Sequence, residues 1–317
     1  MEPTLEFEKP IVEIENMIAK LKKLSEDKKG DFTNQIKELE KECDEHRKKI
    51  YENLTPWQIV QIARHPKRPI LDDYISIMFS EFFELHGDRR FSDDQALIGG
   101  FATLEGRRVM LIGHNKGRSV EDNIKRNFGQ ARPEGYRKAI RLMKLAEKFQ
   151  IPVVTLIDTQ GAFPGKDAEE RGQHEAIARN LIEMAQLKVP VIACVMGEGG
   201  SGGAIGIGVG DVILMLQYSI YSVITPEGCA AILWRDAAKA PEAAEALKLT
   251  APSLVDLGIA DEIIPEPAGG AHHDYQATAE NVKKALVKHI NKLNRSSGQK
   301  LVQKRFEKYS SIGMFAS

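Results

Sequence analysis

The chain has 317 residues, of which 42% are hydrophobic, and its 44 basic and 45 acidic residues leave a formal net charge of −1 at pH 7. Because single hydrophobic cores stop growing at roughly 250–300 residues, this length predicts one large domain with helical appendages, or two domains. The balanced charge excludes a general attraction to nucleic acid or anionic lipid, and the apolar content argues against a mainly disordered chain. No apolar run reaches the roughly 18 residues of a membrane helix, so we expect a cytoplasmic protein with no membrane partner. Because the charge is balanced, we also expect no nucleic-acid partner.

The three cysteines, Cys43, Cys194 and Cys229, are far apart in the sequence. They form no CxxC pair, and no nearby histidine pair completes a set of zinc ligands. We therefore expect three reduced thiols and no metal on this chain.

Residues 7–54 predict a helical hairpin, because apolar side chains recur every three or four residues in two runs. The first run is Ile11, Ile14, Ile18 and Leu21, and the second is Phe32, Ile36, Leu39, Cys43, His46 and Ile50. Residues 29–31 interrupt the pattern, and Thr55-Pro56 ends it, so residues 1–54 are predicted to form a separate hairpin used for assembly. The outer faces are rich in Lys and Glu, which is typical of a solvated helix surface, and docking of another subunit is the alternative.

Residues 55–294 are predicted to form the main domain. Residues 71–85 have helical period, and two strands, Ala96–Leu104 and Val109–Ile112, flank a tight turn. Apolar strands then alternate with amphipathic helices, which indicates an α/β fold with mainly parallel strands covered on both faces. The predicted strands are Val153–Ile157, Val191–Val195, Val212–Leu216, Tyr221–Ile224 and Asp261–Ile264, and the predicted helices are 134–149, 172–187, 202–209, 226–235, 241–257 and 275–293. Residues 295–317 are predicted to form a loosely held tail.

Two glycine-rich loops each follow a predicted strand. The first loop is Ile157–Gly165 (IDTQGAFPG), and the second loop is Met196–Ala204 (MGEGGSGGA). Glycines let a backbone approach a ligand closely, and unpaired N–H groups at such turns attract an oxyanion. Because ligands in open α/β sheets bind outside the carboxyl ends of the strands, we expect both loops to belong to one site. A tight turn packed against a helix would explain either loop alone without a ligand.

Two better-known phosphate-binding motifs fit these loops poorly. Residues 197–202 satisfy GxGxxG, but Asp211 precedes the next strand, whereas the dinucleotide fingerprint needs an acidic residue at the end of that strand. Residues 161–167 miss both the spacing and the hydroxyl of GxxxxGK[ST]. A nucleotide-binding fold is therefore not favoured.

A serine hydrolase is the alternative function. Residues 199–203 satisfy GxSxG with Ser201 as the nucleophile, and Asp261 follows with His272 or His273 in hydrolase order. Ser201 can equally be a small residue that a tight loop requires, with no catalytic role. A noncatalytic scaffold, built on the N-terminal hairpin, is a third possibility.

Two further segments offer candidate substrate contacts. Residues 113–129, the basic segment, could hold phosphates or an acidic carrier protein, although basic residues near helix ends are more often solvated. Residues 225–228 place proline and glutamate in the first turn of a helix, which capping alone would explain. The candidate contacts are Lys116, Arg118, Arg126, Pro226, Glu227 and Gly228.

Taken in chain order, seven segments resemble one known family. They are GHNKGR at 113–118, RNFG at 126–129, PEGYRKAIRLM at 133–143, IDTQGAFPG at 157–165, EERGQHEAIARNL at 169–181, GEGGSGGAIGIGVGD at 197–211 and SVITPEGCAAILW at 222–234. They are similar to the α subunits of bacterial acetyl-CoA carboxylase carboxyltransferase, and the similarity extends to WQIVQIARHP at 57–66 and IIPEPAGGAH at 263–272. Gln160 is a departure, because the family's loop usually has proline there.

The resemblance implies a crotonase-like fold, which is a spiral of repeated strand-helix units, with an N-terminal helical hairpin and a C-terminal helix. It implies transfer of a carboxyl group from carboxybiotin, on the biotin carboxyl carrier protein, to acetyl-CoA. The product is malonyl-CoA, in the first committed step of fatty acid biosynthesis. The implied partners are that carrier, biotin carboxylase and a zinc-containing carboxyltransferase β subunit that receives acetyl-CoA, in an α2β2 assembly.

The resemblance also implies which loop atoms act. An oxyanion hole in this family arises from amides of two loops, here those of Gly202 and Gly203, helped by those of Gly161 and Ala162. These amides would stabilise the ureido oxygen when carboxybiotin gives up its carboxyl group, and the biotin nitrogen would accept the methyl proton. The implied substrate contacts of the second loop are Gly199, Gly200 and Ser201.

Overall fold

The computed structural model describes residues 4–27 and 30–313. Lys29 of the predicted break, and the first three and last four residues of the predicted end segments, lie outside the described residues. The α-helices are α1 (Lys9–Glu26), α2 (Thr33–Tyr51), α3 (Pro56–Ala63), α4 (Leu71–Met78), α5 (Val120–Lys125), α6 (Pro133–Phe149), α7 (Lys166–Glu170), α8 (Gln173–Ala185), α9 (Ser201–Ile205), α10 (Pro226–Trp234), α11 (Ala240–Leu247), α12 (Ala251–Asp256), α13 (Tyr275–Leu293) and α14 (Gly298–Ser310). The strands are β1 (Glu81–Glu84), β2 (Leu97–Leu104), β3 (Arg107–His114), β4 (Val153–Thr159), β5 (Val191–Gly200), β6 (Val212–Leu216), β7 (Ile220–Ser222) and β8 (Glu262–Ile264).

α1 and α2 form the helical hairpin that the apolar spacing predicts. Three isoleucines of α1 are buried in one cluster with Cys43 of α2, which confirms that the periodic face is the packed face. The same cluster contains Ile62 and Tyr218, which lie outside the hairpin. The hairpin therefore packs against the main domain through its apolar side.

The main domain is built on one sheet with strand order β1-β2-β3-β4-β5-β6-β8. β2 pairs antiparallel with both β1 and β3, and each later pairing is parallel. Successive side chains of a strand point to opposite faces of the sheet. Val191 and Ala193 of β5 face a hydrophobic cluster formed with α6 and α8. Ile192 and Cys194 face a second cluster, formed with α4 and α13. The continuous apolar strands are thus covered on both faces, as predicted.

β5 takes part in two pairings along its length. Its residues 192–195 pair with β6, and its residues 198–200 pair with β7, which lies off the main strand order. On its other side β5 follows β4 up to Ile157, where the register shifts before Thr159 pairs with Gly199. The far half of β5 therefore has β7 in place of β6 as its neighbour and carries the second loop past the end of β4.

The predicted helix over residues 71–85 is wrong in its second half. α4 ends at Met78, Phe79 is extended, and β1 then pairs with β2 from Glu81 opposite Thr103. The apolar residues of 79–85 fit a helical period as well as an edge strand, and pairing with β2 decides between them. α9 and β7 are also shorter than predicted, ending at Ile205 and Ser222.

The prediction of a loosely held tail is wrong for residues 298–310, which form α14. Its Arg305 side chain is fully buried, pairs with Asp211 at 2.8 Å, and donates to the Met184 carbonyl at 2.6 Å. Arg305 also donates to the Leu187 carbonyl at 3.0 Å, so one side chain satisfies carbonyls at the end of α8. The basic character of the segment hid this anchor from sequence analysis.

All three cysteines are free and buried, as predicted. Burial raises the pKa of the Cys194 thiol, which makes it a core residue and a poor nucleophile at neutral pH. Among the helices of the described residues, none combines the length and apolar character needed to cross a membrane.

Candidate active site

The two glycine-rich loops lie side by side at the carboxyl ends of β4 and β5. These strands are parallel neighbours, and Thr159 of the first loop pairs with Gly199 of the second. The carboxyl edge of a parallel sheet is where α/β proteins bind ligands. The structure therefore brings together the two segments that the sequence predicts to share a site.

Glycine is required where the backbones of the two loops touch. A Cβ built on Gly203 would lie 2.4 Å from the Gly161 carbonyl carbon and 2.6 Å from the Ala162 nitrogen. A Cβ on Gly200 would lie 2.0 Å from the Gln160 carbonyl oxygen. Because both neighbours are backbone atoms, no side-chain rotation relieves these contacts.

Other glycines of the site have room for a side chain. A Cβ on Gly161 would meet its nearest heavy atom, the Ser201 Cβ, at 3.9 Å, and one on Gly202 would meet the Ile177 Cδ1 at 3.5 Å. These are ordinary van der Waals distances. Packing within the chain therefore does not explain glycine at these two positions.

Three of the four predicted amides are available to a ligand. The N–H groups of Ala162, Gly202 and Gly203 meet no hydrogen-bond acceptor in residues 4–27 and 30–313. The Gly161 amide differs, because it donates to the Thr159 Oγ1 at 3.2 Å. The first loop therefore offers Ala162 rather than Gly161 as its unpaired donor.

The serine hydrolase alternative is not supported by the geometry. Ser201 follows the carboxyl end of β5, whereas Asp261 precedes the amino end of β8, and the intervening pairings are all parallel. The two residues therefore lie at opposite edges of the sheet. His272 stacks on His65 with ring centroids 4.0 Å apart, and Asp261 accepts from the Ile213 amide at 2.6 Å.

The predicted cationic contacts are each paired with a carboxylate of the same chain. Their partners are Asp158 for Lys116 at 2.6 Å, Asp73 for Arg118 at 2.5 Å and Asp122 for Arg126 at 2.7 Å. Only the first pair touches a glycine-rich loop, since Asp158 belongs to the first loop. Contacts to phosphate or to a carrier protein would have to compete with these ion pairs.

An ion network beneath the second loop was not predicted. Arg64 donates to the Glu198 carboxylate at 2.9 and 2.7 Å and to the Glu227 carboxylate at 2.6 Å. The Glu198 amide donates in turn to Asp158 at 2.9 Å, so both loops and α10 are joined. The local sequence around Arg64 carries no signal for this role, because its partners are more than a hundred positions away.

The network and helix capping account for residues 226–228. Glu227 serves as a partner of Arg64, Pro226 occupies the first turn of α10, and the Gly228 amide donates to the Thr225 Oγ1 at 3.1 Å. In addition, a Cβ on Gly199 would lie 2.9 Å from the Tyr221 ring. These predicted substrate contacts all have a structural role within the chain.

His114 is the last residue of β3 and belongs to the basic segment. It is 1% exposed, and in the described part of the chain neither ring nitrogen has a partner with hydrogen-bond geometry. Burial, with a smaller effect of the Lys116 charge, lowers its pKa to about 3, against a weak interaction with the Gly203 backbone. The imidazole is therefore neutral at physiological pH.

Potential metal ligands lie elsewhere in the described residues. Glu8, His65 and His272 form one buried group, and Glu84, His86 and Asp93 form an exposed one. The prediction of no metal site relied on separation along the sequence, and the fold removes that separation for the first group.

Comparison with known proteins places these features in a family. The family described as acetyl co-enzyme A carboxylase carboxyltransferase-like matches residues 4–313. A protein of Aliivibrio salmonicida is 55% identical, with 98% of each chain covered, and one of Bacillus cereus is 57% identical, covering 98% of this chain and 95% of its own. Both are named acetyl-coenzyme A carboxylase carboxyl transferase subunit alpha.

Solved structures agree on the fold. The transcarboxylase 12S structure has a TM-score of 0.55 at 22% identity, covering 69% of this chain and 41% of its own. A Pseudomonas malonate decarboxylase hetero-tetramer, in complex with coenzyme A, has a TM-score of 0.56 at 16% identity, covering 70% and 89%. The α/β, crotonase-like fold predicted from the resemblance is confirmed. With a family match over nearly its whole length and relatives above 50% identity, the chain belongs to the acetyl co-enzyme A carboxylase carboxyltransferase-like family.

Proposed function

We propose that this chain is the α subunit of an acetyl-CoA carboxylase carboxyltransferase and transfers the carboxyl group of carboxybiotin to acetyl-CoA, forming malonyl-CoA. The names of its relatives support this reaction. The observation that carries the proposal is the set of unpaired amides on Ala162, Gly202 and Gly203, held together by backbone contact between the two loops. Such donors stabilise a negative oxygen without rearranging during the reaction.

The small residues of the two loops leave room for the flat ureido ring of biotin beside these amides. Gly161 and Gly202 leave open the space that a Cβ would fill, so a ligand oxygen can reach the neighbouring N–H groups. Carboxybiotin, as the carrier-borne substrate, supplies the carboxyl group and, once decarboxylated, a basic nitrogen for the proton of the acetyl methyl group. Before that proton is taken, the amides of Ala162, Gly202 and Gly203 would stabilise the negative charge on the ureido oxygen, and the carbon of acetyl-CoA that loses the proton would then bond to the released carboxyl carbon.

The two carboxylates of the loops are held in ion pairs, which disfavours them as general bases. Asp158 accepts from Lys116 at 2.6 Å, and Glu198 accepts from Arg64 at 2.7 Å. Each carboxylate is thus committed to an ion pair that holds a loop in place. This arrangement suits a reaction whose proton acceptor arrives with the substrate.

We assign the second half of the site to a partner. A zinc-containing β subunit would bring acetyl-CoA, and the biotin carboxyl carrier protein, loaded by biotin carboxylase, would bring carboxybiotin, in an α2β2 assembly. Val223, Ile232 and Leu233 are exposed apolar residues beside α10, the helix joined to the second loop through Arg64. Exposed apolar groups of this kind mark surfaces that another protein covers.

The test is to assay this chain alone, then with a β subunit, for biotin-dependent release of the malonyl-CoA carboxyl group. We expect activity in the mixture and none with either chain alone, because each subunit holds half of the site. An inactive mixture that assembles normally would contradict the proposal. Activity of the mixture that survives disruption of both loops would instead favour a scaffold role for this chain.

A further inference from the structure

Three side chains with metal-binding atoms meet beneath the N-terminal hairpin. Glu8 precedes α1, His65 follows α3, and His272 lies in the loop after β8. One potential ligand atom from each lies within 4.8 Å of the other two. Glu8 and His65 are each 6% exposed, and the side chain of His272 is 5% exposed.

The two histidines of this cluster lie against each other. The His65 and His272 rings stack with their centroids 4.0 Å apart. The buried Nδ1 of His272 has no hydrogen-bond partner in the described residues, which is costly unless something outside the chain binds there.

The carboxylate of the cluster is already oriented. The Tyr51 hydroxyl lies within hydrogen-bond distance of the Glu8 carboxylate and is 2.9 Å from the Gly269 carbonyl oxygen. Glu8 Oε1 lies 3.8 Å from His272 Nε2. Hydrogen bonds that fix a carboxylate in this way are the usual outer partners of a metal ligand.

A cavity of about 380 Å³ opens onto the cluster. Its walls include Glu8, Glu15 and all three of His65, His272 and His273. Lys67 also lines it, and Glu15 is paired with Arg47 at 2.6 Å, so Glu8 is the carboxylate left to face a cation. The space admits a water molecule as a further ligand. The cavity therefore supplies both a route into the cluster and an open coordination position.

We propose that Glu8, His65 and His272 bind one Zn²⁺ ion. Two imidazole nitrogens and one carboxylate form a common zinc donor set, with the fourth position left to water, whereas Mg²⁺ and Ca²⁺ prefer oxygen ligands throughout. Since Glu8 belongs to the hairpin side and both histidines to the main domain, the ion joins the two parts. This site is separate from the unpaired amides of the proposed reaction and does not depend on them.

The experiment uses the full chain, freed of any histidine tag, stripped with a chelator and titrated with Zn²⁺ against a chromophoric competitor. We expect one tight site per chain, an increase in the melting temperature on adding zinc, and a visible absorption spectrum typical of tetrahedral Co²⁺ when cobalt replaces it. Glu8→Gln and His272→Gln should each weaken the tight site by at least about 100-fold. Near-ultraviolet circular dichroism of each variant checks that the hairpin remains packed.

His86→Ala is the matched control, because it removes a ligand from the exposed group of Glu84, His86 and Asp93. It should leave the tight site unchanged. Substoichiometric zinc on the wild-type chain would overturn the proposal. So would equal affinity of the wild type and both cluster variants, or loss of the tight site in His86→Ala.

Discussion

The glycine-rich loops and the basic segment both offer hydrogen-bond donors to an anion, but their donors are in opposite states. In the loops, the amides of Ala162, Gly202 and Gly203 have no acceptor in the described residues. In the basic segment, Lys116 and Arg118 are each held by a carboxylate. Of the donors compared, the uncharged ones are those left without a partner in the described residues, and they need no counter-ion.

Replacing Gly202 by proline should have the largest effect, because it removes one unpaired amide. Losing such a donor typically lowers the rate by about 10²–10³-fold. Carboxyl transfer by the complex with a β subunit is the measurement. Gly202→Ala keeps the amide and adds only a Cβ, 3.5 Å from the nearest atom of the chain, so the difference between the two variants separates loss of the donor from loss of room for the ligand. If the Gly202→Pro complex folds, assembles and keeps full activity, this amide does not contribute to the reaction.

Replacing Gly203 by alanine tests the contact between the loops. Its Cβ would lie 2.4 Å from the Gly161 carbonyl carbon, so the backbones must separate. We expect a loss of about 1–3 kcal/mol in the free energy of unfolding, as for other overpacked sites. Gly202→Ala should change it by less than about 1 kcal/mol, measured by urea denaturation. Equal values for the two variants would show that the loops are not in tight contact.

His114, the buried histidine of the basic segment, should make stability depend on pH. In the unfolded chain its imidazole takes up a proton near its ordinary pKa of about 6.5, whereas in the folded chain burial lowers this pKa to about 3. Lowering the pH through this window therefore favours the unfolded state. When the pH falls from about 7.5 to about 5.5, His114 should lower the free energy of unfolding by about 1.4 kcal/mol.

The measurement is the free energy of unfolding of the wild type and of His114→Gln at several pH values. The variant's curve should be flatter by this amount, because the other histidines titrate in both proteins. Parallel curves would show that His114 is not buried in neutral form.

Replacing Arg118 by alanine should have the smallest effect. Its pair with Asp73 is more than half exposed on the arginine side, and such pairs contribute less than about 1 kcal/mol. We expect nearly unchanged stability and little change in the KM for malonyl-CoA. A large rise in KM with unchanged kcat would break the comparison, since Arg118 would then bind substrate as the sequence predicts.

What the sequence predicted well depends on local pattern. The parallel strands and the loops that follow β4 and β5 are visible because apolar runs and glycines are contiguous. The carboxyl ends of neighbouring parallel strands must then meet. Which amides act was implied by the family resemblance and not by this pattern, and one of the four, that of Gly161, donates to Thr159 instead.

What it missed depends on contacts between distant positions. Arg64 and Glu198 meet only after the sheet has formed, and so do His65 and His272. β1 was missed because an edge strand is decided by its partner, here β2, rather than by its own spacing. A charged residue that is paired in the fold cannot be distinguished from a solvated one by sequence alone. For this reason the sequence does not reveal that Arg305 anchors the C-terminal segment.

The double pairing of β5 limits how this chain can change length. An insertion of one residue at Met196 or Gly197 would leave residues 192–195 aligned with β6 but move residues 198–200 one step along β7. A one-step slip turns every following side chain to the opposite face. Indels between the two halves of this strand are therefore closed to selection and to engineering.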